Sequence, residues 1–268
     1  MLTSFLVLFL FGCLTGVTTV FFGFGGGFIT VPVVYGFLRA TAGSGTDAMH
    51  VAVATSTAVM LVNAVVAALA QLRQGRLRRE YVWPLAAFIM VGAVAGSFVA
   101  TWIGGTLLRV LFIVYLLVTI ADSLLRKGFL SVAHHERPQP LGRAATRFGG
   151  VGIGAVASCL GVGGSVMTVP LLRRRGLPMA NAIAMANPLS VPVAVAGTVV
   201  YALAPAVPAH AGRFGYVDLV ACAALLSGSL PTIAVARRVA GRVPDRIHSL
   251  AYIALLVLVS VVMVATGI

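Results

Sequence analysis

The sequence has very few charged residues. Only 9% of its 268 residues are Asp, Glu, Lys or Arg, whereas soluble domains carry about 25%. Acidic residues are the scarcest, with 6 against 19 basic ones. Because so little charge cannot cover the surface of a soluble domain of this length, the composition excludes a soluble globular protein.

The sequence also lacks the residue groups that carry enzyme chemistry. It contains no phosphate-binding P-loop and no Ser/His/Asp or Cys/His set in an arrangement that indicates catalysis. Cys13, Cys159 and Cys222 lie singly in apolar stretches, which is typical of small buried residues rather than of a disulfide or a metal site. The adjacent His134 and His135 lie in a polar segment and are interpreted as a solvated loop. We therefore predict no catalytic residue, no cofactor and no metal site.

Long apolar runs make up most of the chain. A helix needs about 20 apolar residues to cross a hydrocarbon core roughly 30 Å thick. Runs of this kind occupy residues 1–22, 51–70, 82–103, 107–125, 180–203, 216–236 and 250–268, and two further pieces at 28–38 and 148–172 are interrupted by glycine. A membrane β-barrel would instead show alternating strands of about ten residues. The sequence therefore predicts an all-α integral membrane protein.

The net charge of +13 is concentrated in short connections between the apolar runs. Most basic residues lie in segments 73–79, 126–147, 173–175 and 237–246. Since Lys and Arg are enriched in cytoplasmic loops, we interpret this charge as a topology signal. The basic segments show no pattern of aromatic residues alternating with basic ones, so we predict the lipid bilayer as a partner and no nucleic acid.

A glycine-rich decapeptide occurs twice. Residues 23–32 read "GFGGGFITVP" and residues 161–170 read "GVGGSVMTVP". Looser matches follow each copy: "VAVATSTAV" with "AIAMANPLS", and "AGSF" with "SGSL". Such internal duplication is common in transporters. We predict two homologous membrane repeats, at 1–125 and 148–268, joined by a cytoplasmic linker at 126–147.

The basic connections indicate how the two halves are oriented. If all of them are cytoplasmic, segments 126–147 and 173–175 lie on the same side of the membrane. The chain between them must then enter and leave on one face, with the glycines at the tip of a hairpin. The halves would be inverted repeats, each a re-entrant or broken helical hairpin plus three transmembrane helices. Eight simple spans in a parallel duplication are the alternative, which would place 237–246 outside; whether 1–22 spans fully stays open.

Each glycine motif predicts an interruption followed by a new helix. Glycine is a poor helix former, and Pro32 and Pro170 are expected in the first turn of the helix that follows. A helix start presents free N–H groups and the positive end of the helix dipole, which suits an anion. Close packing of helices through small residues is the alternative. The candidate anion-binding residues are Gly25, Gly26, Gly27, Thr30, Gly163, Gly164, Ser165 and Thr168.

A second group of polar residues follows each motif at matching places. Thr55, Ser56 and Thr57 lie near the start of one apolar run, and Asn187 lies beside a proline inside another. These side chains are further candidates to line the same cavity, although ordinary hydrogen bonding between helices explains them equally well. Asn63 is another candidate, for which packing is the simpler interpretation.

At these motifs the sequence resembles the TauE/SafE family of membrane transporters, described as sulfite exporters. The resemblance rests on the two decapeptides and on the "ATST" and "ANP" stretches, and it covers nearly the whole chain. Ser165 departs from the pattern, since it replaces the third glycine of the run. The resemblance implies a multi-pass protein of a bacterial-type plasma membrane that moves small anions such as sulfite or organosulfonates.

The direction of transport follows from the membrane potential. Each negative charge exported from a negative interior gains about 2.3 kcal/mol per 100 mV, so we expect export. The alternative function is a non-transporting membrane subunit that anchors or assists a partner protein. A homo-oligomer is compatible with either function.

Overall fold

The computed structural model describes residues 2–42, 47–73, 75, 79–125, 142–205, 212–239 and 244–265. Within these ranges the regular secondary structure is helical apart from one two-stranded hairpin, which confirms the predicted all-α class. The helices are α1 Leu2–Phe22, α2 Gly27–Ala42, α3 Ala48–Arg73, α4 Arg79–Trp102, α5 Gly105–Leu125, α6 Gly150–Cys159, α7 Ser165–Arg174, α8 Met179–Leu203, α9 Leu219–Ala236 and α10 Asp245–Ala265. A π-helix, Ala145–Gly149, leads into α6, and strands β1 (Arg213–Phe214) and β2 (Val217–Asp218) pair antiparallel before α9.

In the part of the chain that the structure describes, seven helices are long and apolar enough to cross a membrane, judged by length and composition. They are α1, α3, α4, α5, α8, α9 and α10, while α2 is a shorter apolar helix. Large apolar side chains such as Val91, Leu117 and Val261 are exposed on their outer faces. Exposed apolar surface of this extent suits contact with lipid, as expected for a multi-pass membrane protein.

The described helices repeat in the same order. Each half has two helices separated by a glycine break and then three long helices: α1 to α5 in the first half and α6 to α10 in the second. The predicted linker lies outside the described residues up to position 141, and so do His134 and His135. Its last residues already belong to the π-helix.

The first two helices form an antiparallel hairpin. Leu8 of α1 packs near Phe37 of α2, while Thr15 of α1 lies beside Gly26 at the break. Residues early in α1 therefore face residues late in α2. Thus α1 is an unbroken helix of 21 residues, long enough to span, and it is also one arm of a hairpin.

Contacts between the halves give the directions of the long helices. Gly12 and Gly16 of α1 lie against Leu225 and Ser229 of α9 in the same order, so α1 and α9 are parallel. Helix α3 is parallel to α9 as well, because it meets Cys222 at Thr55 and Ser229 at Asn63. The third helix of the first half, α3, is thus parallel to the fourth helix of the second half, α9.

Contacts also give the directions of helices in the second half. Helices α4 and α6 are parallel, since Gly92 and Gly96 meet Val151 and Ala155 in the same order. Helix α7 is antiparallel to α10, because Tyr252 of α10 bonds Val166 near the start of α7, while the earlier Ser249 bonds Arg173 near its end. These directions support the inverted relation between the halves, which stays a prediction.

Glycines allow close approach between α4 and α6. A Cβ atom at Gly154 would lie 2.0 Å from the carbonyl oxygen of Ile89, and one at Gly96 would lie 2.0 Å from that of Ala155. Distances this short are incompatible with any side chain. These glycines lie outside the decapeptides, and their role in the structure is therefore to let the helices pack closely.

Replacing Gly154 by Val should force α4 and α6 apart. Overpacking of a well-packed interior costs about 1–3 kcal/mol, so we expect a lower unfolding temperature of the purified protein in detergent. Gly152→Val is the matched control, because it lies in the same helix with nothing within 4 Å of its Cβ position. Equal unfolding temperatures of the two variants would contradict the packing of these helices.

The inverted arrangement predicts which connections share a side of the membrane. In a variant without native cysteines, Arg73→Cys and Pro178→Cys should react with an impermeant maleimide only from the cytoplasmic side. Gly104→Cys should react only from the outside. All three positions are exposed. Labelling of Pro178→Cys from the outside would contradict the hairpin topology and favour the parallel duplication.

Candidate functional site

Both glycine motifs interrupt the helices. Between α1 and α2, the φ angles of Gly23, Gly25 and Gly26 are +74°, +61° and +90°; between α6 and α7, that of Gly161 is +66°. Residues with a side chain rarely adopt positive φ. Glycine is therefore required at these positions by the backbone conformation itself. We call residues 23–26 the first break and residues 160–164 the second break.

The two breaks lie against each other. A Cβ atom at Gly27 would lie 2.7 Å from the carbonyl oxygen of Gly161, and one at Gly163 would lie 2.7 Å from that of Phe24. The tips of the hairpins are thus in main-chain contact inside the helix bundle. Glycine at Gly27 and Gly163 is explained by this contact rather than by backbone conformation.

Ser56 of α3 joins the two breaks. Its hydroxyl oxygen lies 2.9 Å from the carbonyl oxygen of Gly27 and 2.7 Å from that of Gly161. A hydroxyl has one proton, so the two carbonyls share a single donor. Ser56 is fully buried, and it contacts both halves of the chain at the point where they meet.

The neighbours of Ser56 point elsewhere. The hydroxyl oxygen of Thr55 accepts a hydrogen bond from the main-chain N–H of Asp218 at 3.0 Å. Thr57 donates to the carbonyl of Ala54 in its own helix. Of the three predicted residues in this cluster, only Ser56 reaches the breaks.

In the described part of the chain, buried polar atoms without partners lie near both breaks, those of Ser165 and Thr168 beside the second break and that of Asn187 on the side of α1. The hydroxyls of Ser165 and Thr168 are buried and have no hydrogen-bond partner among the described residues. Asn187 donates to the carbonyl of Thr19 at 3.4 Å, while its own carbonyl oxygen is without a partner in the same ranges. Buried polar groups are normally paired, so these atoms are candidates for contact with a ligand.

The remaining predicted residues differ in their freedom to bind. Thr30 already donates to the carbonyl of Gly26 at 2.9 Å, so its hydroxyl proton is engaged within α2. Gly25 packs on Met60, where a Cβ atom would lie 2.7 Å from the side chain. Gly164 is looser, because the nearest atoms would lie 3.5 Å from its Cβ atom.

Both new helices begin with free main-chain donors. No hydrogen bond to a described residue is recorded for the N–H groups of residues 27–29 or of residues 163–165. These groups carry the partial positive charge of a helix N-terminus. Two helix starts with unpaired N–H groups therefore face the same buried region, which is the chemistry expected of an anion site.

The expected position of the prolines was wrong. Pro32 and Pro170 are the sixth residues of α2 and α7, in the second turn. A proline there has no N–H for the carbonyl four residues earlier. For Pro170 this carbonyl belongs to Val166, and it accepts a hydrogen bond from the Tyr252 hydroxyl at 2.9 Å instead. Helix α10 thereby stabilises the start of α7.

The breaks are closed in this structure. The site side chains are at most 1% exposed. One cavity, of about 390 Å³, is lined by apolar residues of α1, α2 and α10 and not by the site side chains. The described conformation is therefore occluded at the candidate site.

Sequence analysis missed several buried polar residues near the hairpins. Thr15, Thr19 and Ser229 surround the first break, and all are fully buried. Arg173 was assigned to a cytoplasmic connection, but it is 1% exposed and its guanidinium donates to Ser249 at 3.1 Å. The threonines at four-residue spacing in α1 were a usable signal; nothing local distinguishes Arg173 from the arginines after it.

Hairpins that end in unwound glycines inside a bundle of membrane-spanning helices define a multi-pass transport protein. The sequence model of the sulfite exporter TauE/SafE family matches residues 8–263, and the chain belongs to this family. Neither the curated proteins nor the solved structures compared with it gave a match. The family consists of membrane transporters, so the protein is a transporter of the inner membrane and not an enzyme.

Replacing Gly27 by Ala should separate the two breaks. The new Cβ atom would lie 2.7 Å from the Gly161 oxygen and 3.1 Å from the Ser56 oxygen. We expect a loss of about 1–3 kcal/mol of stability, measured by thermal unfolding. Gly164→Ala is the control, since it lies at the start of the other hairpin's second helix and meets only ordinary contacts. A Gly27→Ala protein as stable as Gly164→Ala would contradict the contact between the breaks.

Proposed function

We propose that the protein is a secondary transporter or facilitator that exports small sulfur-containing oxyanions, sulfite or organosulfonates. One observation carries the proposal: two helix starts with unpaired N–H groups meet at the buried breaks. Such groups bind the oxygens of an anion without needing a basic side chain. Transporters with broken helices bind anionic substrates at half-helix N-termini in this way.

The charges around the breaks support an anionic substrate. Among the described residues, no Asp or Glu side chain is buried. The carboxylate of Asp218 caps the start of α9 and lies 3.8 Å from the Arg213 guanidinium. A cation site inside the membrane would need acidic or carbonyl ligands. The carbonyls of Gly27 and Gly161 already accept the Ser56 hydroxyl, whereas the N–H groups of the two helix starts have no partner among the described residues.

The contact between the breaks suggests how access alternates. Ser56 contributes one shared hydrogen bond between the hairpins, and the rest of the contact is main chain against main chain. A small displacement of one hairpin would break this bond and expose the N–H groups to one side. We infer that the halves rock about this contact, as the repeats do in transporters built from inverted repeats.

The membrane potential favours export without a coupling ion. Each negative charge leaving a negative interior gains about 2.3 kcal/mol per 100 mV. Uptake would need a co-transported cation or proton. The lack of a buried carboxylate among the described residues gives such a cation no evident carrier.

Flux from proteoliposomes tests the function. Vesicles loaded with sulfite or sulfoacetate should release the anion faster with the protein than without it. An inside-negative potential, set with potassium and valinomycin, should increase the initial rate if net negative charge moves. Chloride-loaded vesicles give the comparison for selectivity. No flux of any of these anions, together with a stoichiometric partner that co-purifies, would overturn the proposal and favour the membrane-subunit alternative.

A further inference from the structure

The first break is surrounded by polar side chains. Thr15 and Thr19 of α1, Asn63 of α3 and Ser229 of α9 are all fully buried there. A Cβ atom at Gly26 would lie 2.3 Å from the Thr15 methyl, 2.9 Å from the Asn63 amide nitrogen and 3.4 Å from the Thr19 hydroxyl. These side chains therefore border the start of α2.

The corresponding positions of the second half are mostly apolar. Alignment of the repeated motifs pairs three of the four residues around the first break with Ile153, Ala157 and Ala194. The fourth, Ser229, pairs with Ser97, which donates to the carbonyl of Ala93 within its own helix. The two breaks share a backbone conformation but differ in the side chains around them.

Asn63 has a free donor that points at the first break. Its carbonyl oxygen accepts a hydrogen bond from the Ser229 hydroxyl at 2.8 Å, and this bond directs the amide nitrogen toward Gly26. That nitrogen is buried and has no hydrogen-bond partner in the described ranges. A buried amide donor is normally paired, so a ligand is the natural partner for it.

The two threonines cannot take this role. Thr15 donates to the carbonyl of Phe11 at 2.7 Å, and Thr19 donates to that of Thr15 at 2.8 Å. Both hydroxyl protons are thus engaged within α1, and only acceptor lone pairs remain. Of the four side chains around the first break, Asn63 alone has a donor available to an anion.

We propose that the first break is the selective half of the anion site, with the Asn63 amide binding one oxygen of a sulfur oxyanion beside the N–H groups that begin α2. Ser229 is a positioning residue, which fixes the orientation of the amide. This inference rests on the proposed transport function. The second break discriminates less, because the hydroxyls of Ser165 and Thr168 rotate and serve as donors or acceptors.

Two variants of the full-length protein test the proposal. Asn63→Asp keeps the shape and the acceptor for Ser229, but it replaces the donor by a negative charge that repels the substrate. A hydrogen bond to a charged group accounts for about a 10- to 100-fold change in affinity. We expect the sulfite flux of Asn63→Asp to fall by about 10-fold or more. Sulfite should also raise the unfolding temperature of the wild-type protein, because a bound ligand stabilises the folded state, but not that of Asn63→Asp.

Ser229→Ala tests the orientation of the amide. It should raise the KM for sulfite by about 3- to 10-fold, the loss of a modest hydrogen bond, and leave the maximal rate near that of the wild type. Ser97→Ala is the matched control, since it removes the corresponding buried hydroxyl of the other half. It should change neither KM nor the maximal rate.

The outcomes separate this inference from the proposed function. Wild-type protein that carries no sulfur oxyanion overturns the function and the inference together. If the wild-type protein transports sulfite, and Asn63→Asp has the same flux and the same rise in unfolding temperature with sulfite, the inference alone is overturned. If Asn63→Asp fails to fold, the Ser229→Ala and Ser97→Ala pair decides: equal KM values for sulfite in these two variants overturn it.

Discussion

Main-chain groups inside a bilayer must find partners within the protein, because lipid offers none. Helices meet this requirement everywhere except at their ends. This chain places two helix interruptions inside the bundle, and each is tolerated because it faces the other. Ser56 is the hydrogen-bond donor for the carbonyls of Gly27 and Gly161, and the main chains of the two breaks are in contact at Gly27 and Gly163. The N–H groups that begin α2 and α7 have no partner among the described residues, and unpaired donors of this kind suit a negative solute.

The surrounding bundle holds the two hairpins in register. Glycines let α1 approach α9 and let α6 approach α4 at backbone contact, so each hairpin is packed against a long helix of the opposite half. Tyr252 of α10 completes the start of α7 by bonding the carbonyl that Pro170 leaves free. The polar breaks are thus positioned by closely packed apolar helices, which tolerate little displacement of one helix against another. Movement of one hairpin must therefore involve the other half.

The sequence was most informative where local composition decides the structure. Helix breaks at the glycine motifs were predictable because no other residue adopts the required backbone so easily. The sequence was least informative about the direction in which each side chain of a helix points. Thr55, Ser56 and Thr57 are equally polar, but successive residues of a helix point about 100° apart, so only one of them reaches the breaks. The register of the prolines was likewise misjudged, by one helical turn.

The sequence by itself determined the membrane class, the repeated glycine motif, the family and the places where the helices unwind, because hydropathy and glycine act over a few neighbouring residues. Tertiary structure alone decided that the two breaks touch, that Arg173 is buried, and that Asn63 meets Gly26 while Ser229 holds its carbonyl. These contacts join residues far apart in the chain, and their geometry depends on how whole helices pack. No local pattern records that packing.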